Sequence, residues 1–298
     1  MDNQTEKMII DKVLKELHQR GTIKNSENII KDTIKSSIHS LETNDDLPVE
    51  LESKEKIQIE NPHNMEALKI MRSATPARIA VGRCGARQKT STLLNFLADH
   101  AAAQDAVFMD VSDDFLEKNN LFKTVTVVVD KAEYLKRPEL GKRLSEESKK
   151  MILEKCESGK QVQIIIVDGL SSTAIEANVA DVLPALIQGL KSEGLSVGTP
   201  FFVKYGRVRV EDEIGMLLNC DVVVELVGER PGLVTAESMS SYMIYRPSSN
   251  TVEADRTVIS NIHKGGTPPT EAGAHMATVV KKILENKASG IKLSQLIK

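Results

Sequence analysis

The stretch "CDVVVELVGERPGL", residues 220–233, is typical of a buried strand that ends in a tight turn. Three valines open the apolar run at 222–224, and glycine and proline interrupt the chain from Gly228 onward. In open α/β sheets, ligands bind where strands end in such turns. Glu229 stands at this point, and its carboxylate would repel a phosphate. The stretch therefore indicates a ligand site at a sheet edge, for a ligand other than phosphate.

Other apolar runs along the chain alternate with helical stretches. Runs at 124–129 and 161–169 are rich in valine and isoleucine. The spacing of apolar residues predicts helices at about 90–103, 174–193 and 271–286. Strands that alternate with helices of this length indicate an α/β fold. Because the strands are continuously apolar, we expect a parallel sheet with helices on both faces.

The composition of the 298-residue chain argues against several classes of protein. The net charge is -3 and aromatic residues make up 3%, with no tryptophan, which argues against binding to nucleic acid. No apolar run reaches membrane-spanning length and no signal-peptide core is seen, so we expect a cytoplasmic protein with no membrane partner. The three cysteines are scattered and no H-x-x-x-H pair encloses a carboxylate. We therefore expect reduced thiols and no metal site.

The first 60 residues differ in character from the rest of the chain. Within residues 1–20, apolar side chains from Ile9 to Leu17 recur at helical spacing, which predicts an amphipathic helix that ends at Gly21. Residues 21–60 are rich in Ser, Asn, Lys and Glu, which is typical of a flexible linker. The helix either packs back on its own domain or docks in a partner's groove. Residues 61–298 then form the α/β domain.

The segment "RIAVGRCGARQKTSTLL", residues 78–94, partly matches a phosphate-binding loop. A P-loop requires glycine directly before its lysine, whereas Gln88 precedes Lys89 and the two glycines lie seven and four residues earlier. A nucleotide-dependent switch built on Lys89 and Asp168 is therefore an alternative and not the main interpretation. The segment is otherwise interpreted as a strand and turn with a basic surface loop that pairs with a neighbouring subunit.

The sequence has few signs of a catalytic centre. No G-x-G-x-x-G follows a strand and no G-x-S-x-G elbow occurs. In "DGLSS", residues 168–172, Ser171 or Ser172 is placed to cap the next helix, and no histidine is near in sequence. We therefore predict that the chain contributes no catalytic residue of its own.

Three segments in the C-terminal half, 204–215, 227–233 and 253–269, combine strand edges with glycine or proline turns and hydrogen-bond acceptors. Such a rim suits a large, flat, mostly neutral ligand that carries amide donors, with valines packed against its ring. Glu229 would then accept hydrogen bonds from amide N–H groups. Alternatively, Glu229 only pairs with Arg230 or with another surface cation.

The same segments carry a resemblance to a known family. The strings "YGRVRVEDEIG", "LVGERPGL" and "TVEADRTVISNIHKGGTPPTEAGA" closely resemble the small subunit of bacterial ethanolamine ammonia-lyase. Four further strings match that family in the same order: "NPH", "GRCGARQKTSTLLNFLADHA", "DGLSSTAIEAN" and "SMSSYMIY". The resemblance runs from about Asn61 to the end of the chain. It implies a Rossmann-like, mostly parallel sheet flanked by helices.

The resemblance also implies a function. Enzymes of this family convert ethanolamine to acetaldehyde and ammonia by a radical mechanism that begins with homolysis of the Co–C bond of adenosylcobalamin. The small subunit covers this cofactor on a large-subunit (β/α)8 barrel, in an assembly with six copies of each chain. By motif, Val208, Glu229 and Val258 correspond to cobalamin-binding positions. Relatives can have cysteine at 258, a change that a backbone contact tolerates and a thiol contact does not.

Two further expectations rest on the same resemblance. The chain lacks D-x-H-x-x-G, the motif through which some cobalamin domains ligate cobalt, so His263 and His275 are poor candidates for cobalt ligands. Enzymes of ethanolamine use are often enclosed in a protein-shelled bacterial microcompartment. The helix at 1–20 then corresponds to a packaging signal for shell or core proteins, and the expected location is the cytoplasm, inside a microcompartment.

Overall fold

The structure, a computed structural model, describes residues 57–297 of the chain. The predicted helix at 1–20 and almost all of the predicted linker at 21–60 lie outside the described residues. Its last positions, 57–60, are in neither helix nor strand. Within the described range, no helix combines the length and the apolar character needed to cross a membrane.

A mixed sheet of six strands lies at the centre of the described chain. Its strands are β3 (Phe122–Val125), β4 (Val162–Val167), β5 (Phe201–Lys204), β6 (Val222–Gly228), β7 (Met239–Tyr245) and β8 (Thr257–Ile262). They lie in the order β3-β5-β4-β6-β7-β8. The first four strands of this order run parallel, and β7 and β8 are added antiparallel. A separate hairpin consists of β1 (Arg83–Cys84) and β2 (Arg87–Gln88).

Helices precede, connect and follow the strands. They are α1 (Met65–Ser73), α2 (Thr90–Phe108), α3 (Asp113–Lys118), α4 (Lys131–Lys136), α5 (Glu146–Lys155), α6 (Ser172–Ser192), α7 (Val210–Leu218), α8 (Pro269–Asn286) and α9 (Gly290–Leu296). One sheet face packs against α6 and α8, which also pack against each other, and the other face packs against α5 and α7. The sheet is thus the middle layer of three.

Strand β6 shows why its sequence is continuously apolar. Val222, Val224 and Leu226 lie in the core on the α6/α8 side, while Val223 and Val227 lie in the core on the α5/α7 side. All residues of β6 are buried. Each buried aliphatic side chain contributes about 1.5–3 kcal/mol relative to its exposed state, so both faces stabilise the strand. Glu225 is the one carboxylate in this strand and is also fully buried.

The expected α/β class, with a mostly parallel sheet flanked by helices, is confirmed. Strands β4 and β6 and helices α6 and α8 lie within two residues of their predicted bounds. The strand expected at 78–82 is wrong, since the chain there makes no strand and the hairpin β1–β2 follows it. In this hairpin Gly85 has a φ of 62°, a value that favours glycine.

The charged stretch before β4 contains two helices, α4 and α5. Helix α4 ends at Lys136, its C-cap residue is Arg137, and Pro138 follows. Proline disfavours helical geometry in the residue before it, which ends the helix there. Helices α3 and α9 were not predicted, because each is only six or seven residues long and has too few residues for a periodic pattern.

The end of β6 lies unusually close to the loop after β4. A Cβ atom on Gly228 would overlap the carbonyl oxygen of Ser171 and lie 2.6 Å from that of Asp168. Both obstacles are backbone atoms, which cannot rotate away. Glycine at 228 therefore fixes the position from which the residue after it, Glu229, leaves the sheet.

We expect Gly228→Ala to lower the free energy of unfolding by roughly 2 kcal/mol or more, because the methyl group forces the two strand ends apart. Gly232→Ala, four residues later, is a matched control, since its nearest neighbour to an added Cβ is the Thr235 oxygen at 3.7 Å. Urea unfolding of both variants measures the difference. Equal stability of the two variants would show that the close approach is not a constraint.

Candidate functional site

The crevice in which α/β sheets commonly bind ligands is filled by a side chain of the protein. The chain after β4 leads to α6 on one face, and the chain after β5 leads to α7 on the other, so their carboxyl ends flank the crevice. Tyr134 of α4 is fully buried there, with its hydroxyl oxygen 2.7 Å from the carbonyl oxygens of both Gly169 and Gly206. The crevice is thus closed by protein.

Asp168, at the end of β4, holds this closed crevice together. Its carboxylate accepts hydrogen bonds from the backbone N–H groups of Tyr205 at 2.9 Å and Gly206 at 3.2 Å. Burial raises the pKa of Asp168 to about 6, and the positive charge of Lys131 and the backbone N–H groups oppose the rise. Asp168 therefore serves as an acceptor that ties the end of β4 to the end of β5.

The alternative nucleotide switch on Lys89 and Asp168 is not assembled in the structure. The ammonium of Lys89 pairs with Glu60 at 2.9 Å, and the hydrogen-bond partners of Asp168 are in the turn after β5. Ser171 caps α6, as predicted, and its hydroxyl oxygen accepts the N–H of Ala174 at 3.1 Å. These contacts of Lys89 and Asp168 are not those that bind phosphate in a P-loop.

A second region, on the antiparallel side of the sheet, is open. Across three strands the register places Glu225, Tyr242 and Val258 side by side on the α5/α7 face. Helix α7 covers Glu225 completely, whereas Tyr242 is half-buried and Val258 is 46% exposed. The sheet therefore changes from buried core to accessible surface within one row of residues.

Of the three predicted cofactor-binding positions, Val208 lies in the turn between β5 and α7, and Glu229 and Val258 lie on the two strands that flank β7 or directly after them. Val208 follows β5 and packs, like Tyr242, at the edge of the α5/α7 core. Glu229 follows β6 directly, and Val258 is the cross-strand neighbour of Tyr242. We call the surface formed by Val208, Glu229, Tyr242 and Val258 the Tyr242 face. It combines two aliphatic side chains, one carboxylate and one phenol.

Glu229 lies in this face without a cation. Its backbone N–H donates to the Ser238 carbonyl at 3.0 Å, which fixes the start of the loop. Within residues 57–297, no hydrogen bond or ion pair is formed by its half-buried carboxylate. The alternative that Glu229 pairs with Arg230 is therefore not seen. The carboxylate is available to a ligand.

An ionic cluster under the Tyr242 face joins its two flanks. The Arg256 guanidinium donates from Nε to Glu211 at 2.5 Å and from Nη2 to the two carboxylate oxygens of Asp212 at 2.6 and 2.7 Å. Arg256 lies directly before β8, and both acids lie in the first turn of α7. The cluster therefore fixes the start of α7, next to Val208, relative to the strand that carries Val258.

Glu225 adds a third carboxyl group to this cluster but has no partner of its own. Neither of its oxygens has a hydrogen-bond partner in the part of the chain that the structure describes. Burial raises its pKa well above the ordinary value, and the nearby charge of Glu211 adds to the rise. Burial also raises the pKa of Glu211 to about 8. These surroundings therefore favour the protonated form of Glu225.

Sequence reasoning did not single out Tyr242, Glu225 or Arg256. The one available signal was Glu225, a carboxylate inside a strand that is otherwise apolar. Arg256 is 45 residues from Glu211, and no local pattern links them. No group of three or more His, Cys, Asp or Glu side chains suited to a metal ion occurs among residues 57–297.

Comparison with known proteins identifies the family. A family model described as the ethanolamine ammonia-lyase light chain (EutC) matches residues 65–294, which contain the whole Tyr242 face. The chain belongs to this family. Three similar proteins are each named an ethanolamine ammonia-lyase small subunit.

The similarity to these proteins extends over nearly the whole chain. The protein of Clostridium perfringens is 48% identical over 98% of this chain and 100% of its own length. That of Fusobacterium nucleatum subsp. nucleatum is 49% identical over 95% of this chain and 96% of its own. That of Clostridioides difficile strain 630 is 48% identical over 89% of this chain and 92% of its own.

The buried carboxyl groups make stability depend on pH. In the unfolded chain Glu225 ionises near its ordinary pKa of 4.5, whereas in the folded chain it keeps its proton to a much higher pH. The folded state then binds more protons, so stability falls as pH rises above the ordinary pKa of 4.5. We expect Glu225→Gln, which cannot ionise, to reduce this fall by up to roughly 1 kcal/mol per pH unit.

Urea unfolding at several pH values measures this slope. Glu117→Gln, a change at an exposed position of α3, is the control and should keep the slope of the original protein. Identical slopes in Glu225→Gln and the original protein would contradict a protonated Glu225.

Proposed function

We propose that this chain is the small subunit of an adenosylcobalamin-dependent ethanolamine ammonia-lyase, and that its Tyr242 face helps bind the cobalamin at the interface with the large subunit. The enzyme converts ethanolamine to acetaldehyde and ammonia. Family membership supports the lyase complex. The observation that carries the cofactor role is the Glu229 carboxylate, half-buried without a cation on an open part of the sheet.

The residues of the face fit the chemistry of a corrinoid. The corrin ring is apolar and carries acetamide and propionamide arms, which are donors of N–H groups. Val208 and Val258 supply aliphatic surface, and Glu229 supplies an acceptor for an amide. The Ser240 hydroxyl, on the strand that carries Tyr242, is buried without a hydrogen-bond partner in the described chain.

The role of this chain in the reaction is to bind and orient. When bound, adenosylcobalamin supplies the radical chemistry through its Co–C bond. Glu229 would accept N–H groups of the amide arms and so help to orient the cofactor. Val208 and Val258 would supply aliphatic surface that excludes water from it. Val258 can act through its aliphatic side chain or its backbone, so cysteine at this position is not required.

The histidines do not favour a protein ligand to cobalt. His263 accepts the Gly265 N–H on Nδ1 at 3.1 Å and has Nε2 2.8 Å from Asn261 Oδ1. Both ring nitrogens are therefore engaged, which places the proton on Nε2. His275 is exposed on α8. Neither contact pattern would leave His263 a free ring nitrogen for cobalt.

A large-subunit partner accounts for the apolar surface at the start of the described chain. Helix α1 buries none of its residues, and Ile70 is 63% exposed. Leu97 of α2 is 49% exposed. Arg78, between these helices, donates to the Leu233 carbonyl at 3.2 Å in the loop that begins at Glu229. The segment between α1 and α2 thus contacts the loop that begins at Glu229. In this proposal one large-subunit partner, in an assembly of six copies of each chain, covers the apolar surface and the Tyr242 face.

Replacement of Glu229 tests the cofactor role. In the complex of both chains, we expect Glu229→Gln to raise the Kd for cobalamin roughly tenfold. The reason is that a hydrogen bond accepted by a charged carboxylate contributes about 1.5 kcal/mol more binding free energy than one accepted by a neutral amide. Glu237→Gln, at an exposed position nearby, is the control. Titration followed by cobalamin absorbance gives the Kd, and acetaldehyde release gives the activity.

The large subunit without this chain is the second arm of the experiment. If it retains cobalamin and turnover alone, then this chain has a structural role in assembly and not a role in cofactor binding. An unchanged Kd in Glu229→Gln would remove Glu229 from the site.

The N-terminal segment has a separate role in this proposal. Residues 1–20 act as a signal that brings the enzyme to shell or core proteins of a bacterial microcompartment in the cytoplasm. The amphipathic pattern and the linker-like composition of 21–60 support it.

We expect deletion of residues 1–20 to leave lyase activity intact and to release the enzyme from purified shells, because the cofactor face lies in another part of the chain. Deletion of residues 21–40 shortens the linker only and should preserve shell association. Sedimentation of both variants with shells measures the effect. If the variant without residues 1–20 stayed associated with shells, the packaging role would be contradicted.

A further inference from the structure

The turn between β5 and α7 contains a residue in an unfavourable backbone conformation. Tyr205 has a φ of 59°, in the left-handed region that residues with a side chain rarely adopt. Val208, one of the predicted cofactor-binding positions, lies three residues further along the same turn. Because each backbone angle sets the direction of the chain after it, the position of Val208 depends on the conformation of Tyr205. The protein must therefore hold Tyr205 in this conformation for Val208 to keep its place.

Hydrogen bonds engage each backbone N–H and carbonyl group of Tyr205 and Gly206. The Asp168 carboxylate accepts the N–H of Tyr205 at 2.9 Å and that of Gly206 at 3.2 Å. The Tyr205 carbonyl accepts the Thr126 hydroxyl at 3.0 Å. The Gly206 carbonyl accepts the Tyr134 hydroxyl at 2.7 Å. Asp168 binds both residues of the turn, whereas Thr126 and Tyr134 each bind one, so Asp168 has the larger share in holding the turn.

The loop that carries Asp168 also contacts the end of β6. The Leu170 N–H donates to the Gly228 carbonyl at 3.0 Å. A Cβ atom on Gly228 would lie 2.6 Å from the Asp168 carbonyl oxygen, and Glu229 follows Gly228 directly. The side chain of Asp168 thus holds the turn of Val208, while the backbone of the same loop lies against the residue before Glu229. One loop therefore fixes both segments relative to each other.

These contacts give a buried carboxylate a role in binding that it cannot have by direct contact. We propose that Asp168 is a positioning residue for the cofactor: its carboxylate holds Tyr205 in the left-handed conformation and so keeps Val208 where the cofactor contacts it. The inference rests on the proposed function, because it explains how one of the proposed cofactor-binding positions is held. Without the carboxylate, the turn relaxes toward ordinary backbone angles, and only a fraction of the molecules presents Val208 correctly.

The experiment uses the complex of both chains and cyanocobalamin as the probe. Each N–H of the turn binds its own oxygen of Asp168, and asparagine replaces one of these oxygens by an NH2 donor. We expect Asp168→Asn to raise the Kd roughly fivefold to thirtyfold, the factor by which a left-handed conformation is disfavoured for a residue with a side chain. Asp181→Asn, at an exposed position of α6, is the matched control and should keep the original Kd. Absorbance titration gives the Kd, and thermal unfolding checks that each variant is folded.

Two further substitutions separate the backbone angle from other effects of Asp168. Glycine adopts a positive φ about as readily as a negative one, whereas alanine keeps the penalty. In the Asp168→Asn background, Tyr205→Gly should therefore bring the Kd back to within roughly threefold of the original value. Tyr205→Ala removes the same ring and should not restore binding. A role of Asp168 in stability alone would affect both double variants alike.

A milder variant keeps the test decisive if Asp168→Asn does not fold. Thr126→Val removes the hydroxyl that donates to the Tyr205 carbonyl and leaves Asp168 in place. It should raise the Kd roughly threefold, because one of the bonds that hold the turn is lost. Tyr205→Gly should again restore binding in this background, and Tyr205→Ala should not.

The outcomes separate this inference from the proposed function. If Asp168→Asn binds cyanocobalamin like the original complex while Glu229→Gln is weakened, the positioning role is refuted and the cofactor face remains. If the glycine and alanine double variants bind equally, the conformation of Tyr205 is not what Asp168 provides, and the inference fails. If neither Asp168→Asn nor Glu229→Gln is weakened, the proposed cofactor face fails as well.

Discussion

The Arg256 guanidinium is the contact on which the open face depends. It is buried and donates hydrogen bonds to two acids in the first turn of α7. If β8 and that helix moved apart, charged groups would be left buried without a partner, which is costly. Because desolvation offsets much of the attraction in such a buried pair, its main effect is to hold the two elements in one geometry. Here it sets the spacing between the segment of Val208 and the strand of Val258, two segments that α/β topology alone would leave independent.

The ionic cluster also explains a carboxyl group in the middle of a core strand. Glu225 has no hydrogen-bond partner in the described chain, and burial of its charged form is costly, so burial favours its protonated form. Its carboxyl group adds to the polar groups Glu211 and Asp212 on the side of the sheet where Tyr242, its neighbour in the register, lies.

The sequence predicts the strands and helices whose apolar patterns are long, such as β4, β6, α6 and α8. The spacing of apolar residues within each of these segments is enough to predict which of their side chains are buried. The arrangement of the candidate site depends on a different kind of contact. Tyr242 lies in a strand whose sequence predicts a core position. Only its pairing with the exposed Val258 shows that it lies at the border of the surface. Whether Glu229 is free cannot be read from its neighbour Arg230, because side-chain direction decides it.

The closed crevice has a consequence for how the domain can respond to a large ligand. The Tyr134 hydroxyl and the Asp168 carboxylate bind the ends of β4 and β5 to each other, so these turns behave as one stiff unit. The loop beyond Glu229 has backbone bonds at Glu229 and between Gly232 and Thr235, and the side chains of Arg78, Ser171 and Asn178 donate to its carbonyls. Both ends of the loop are therefore anchored, and freedom to move is confined to its tip, where Val234 projects into solvent.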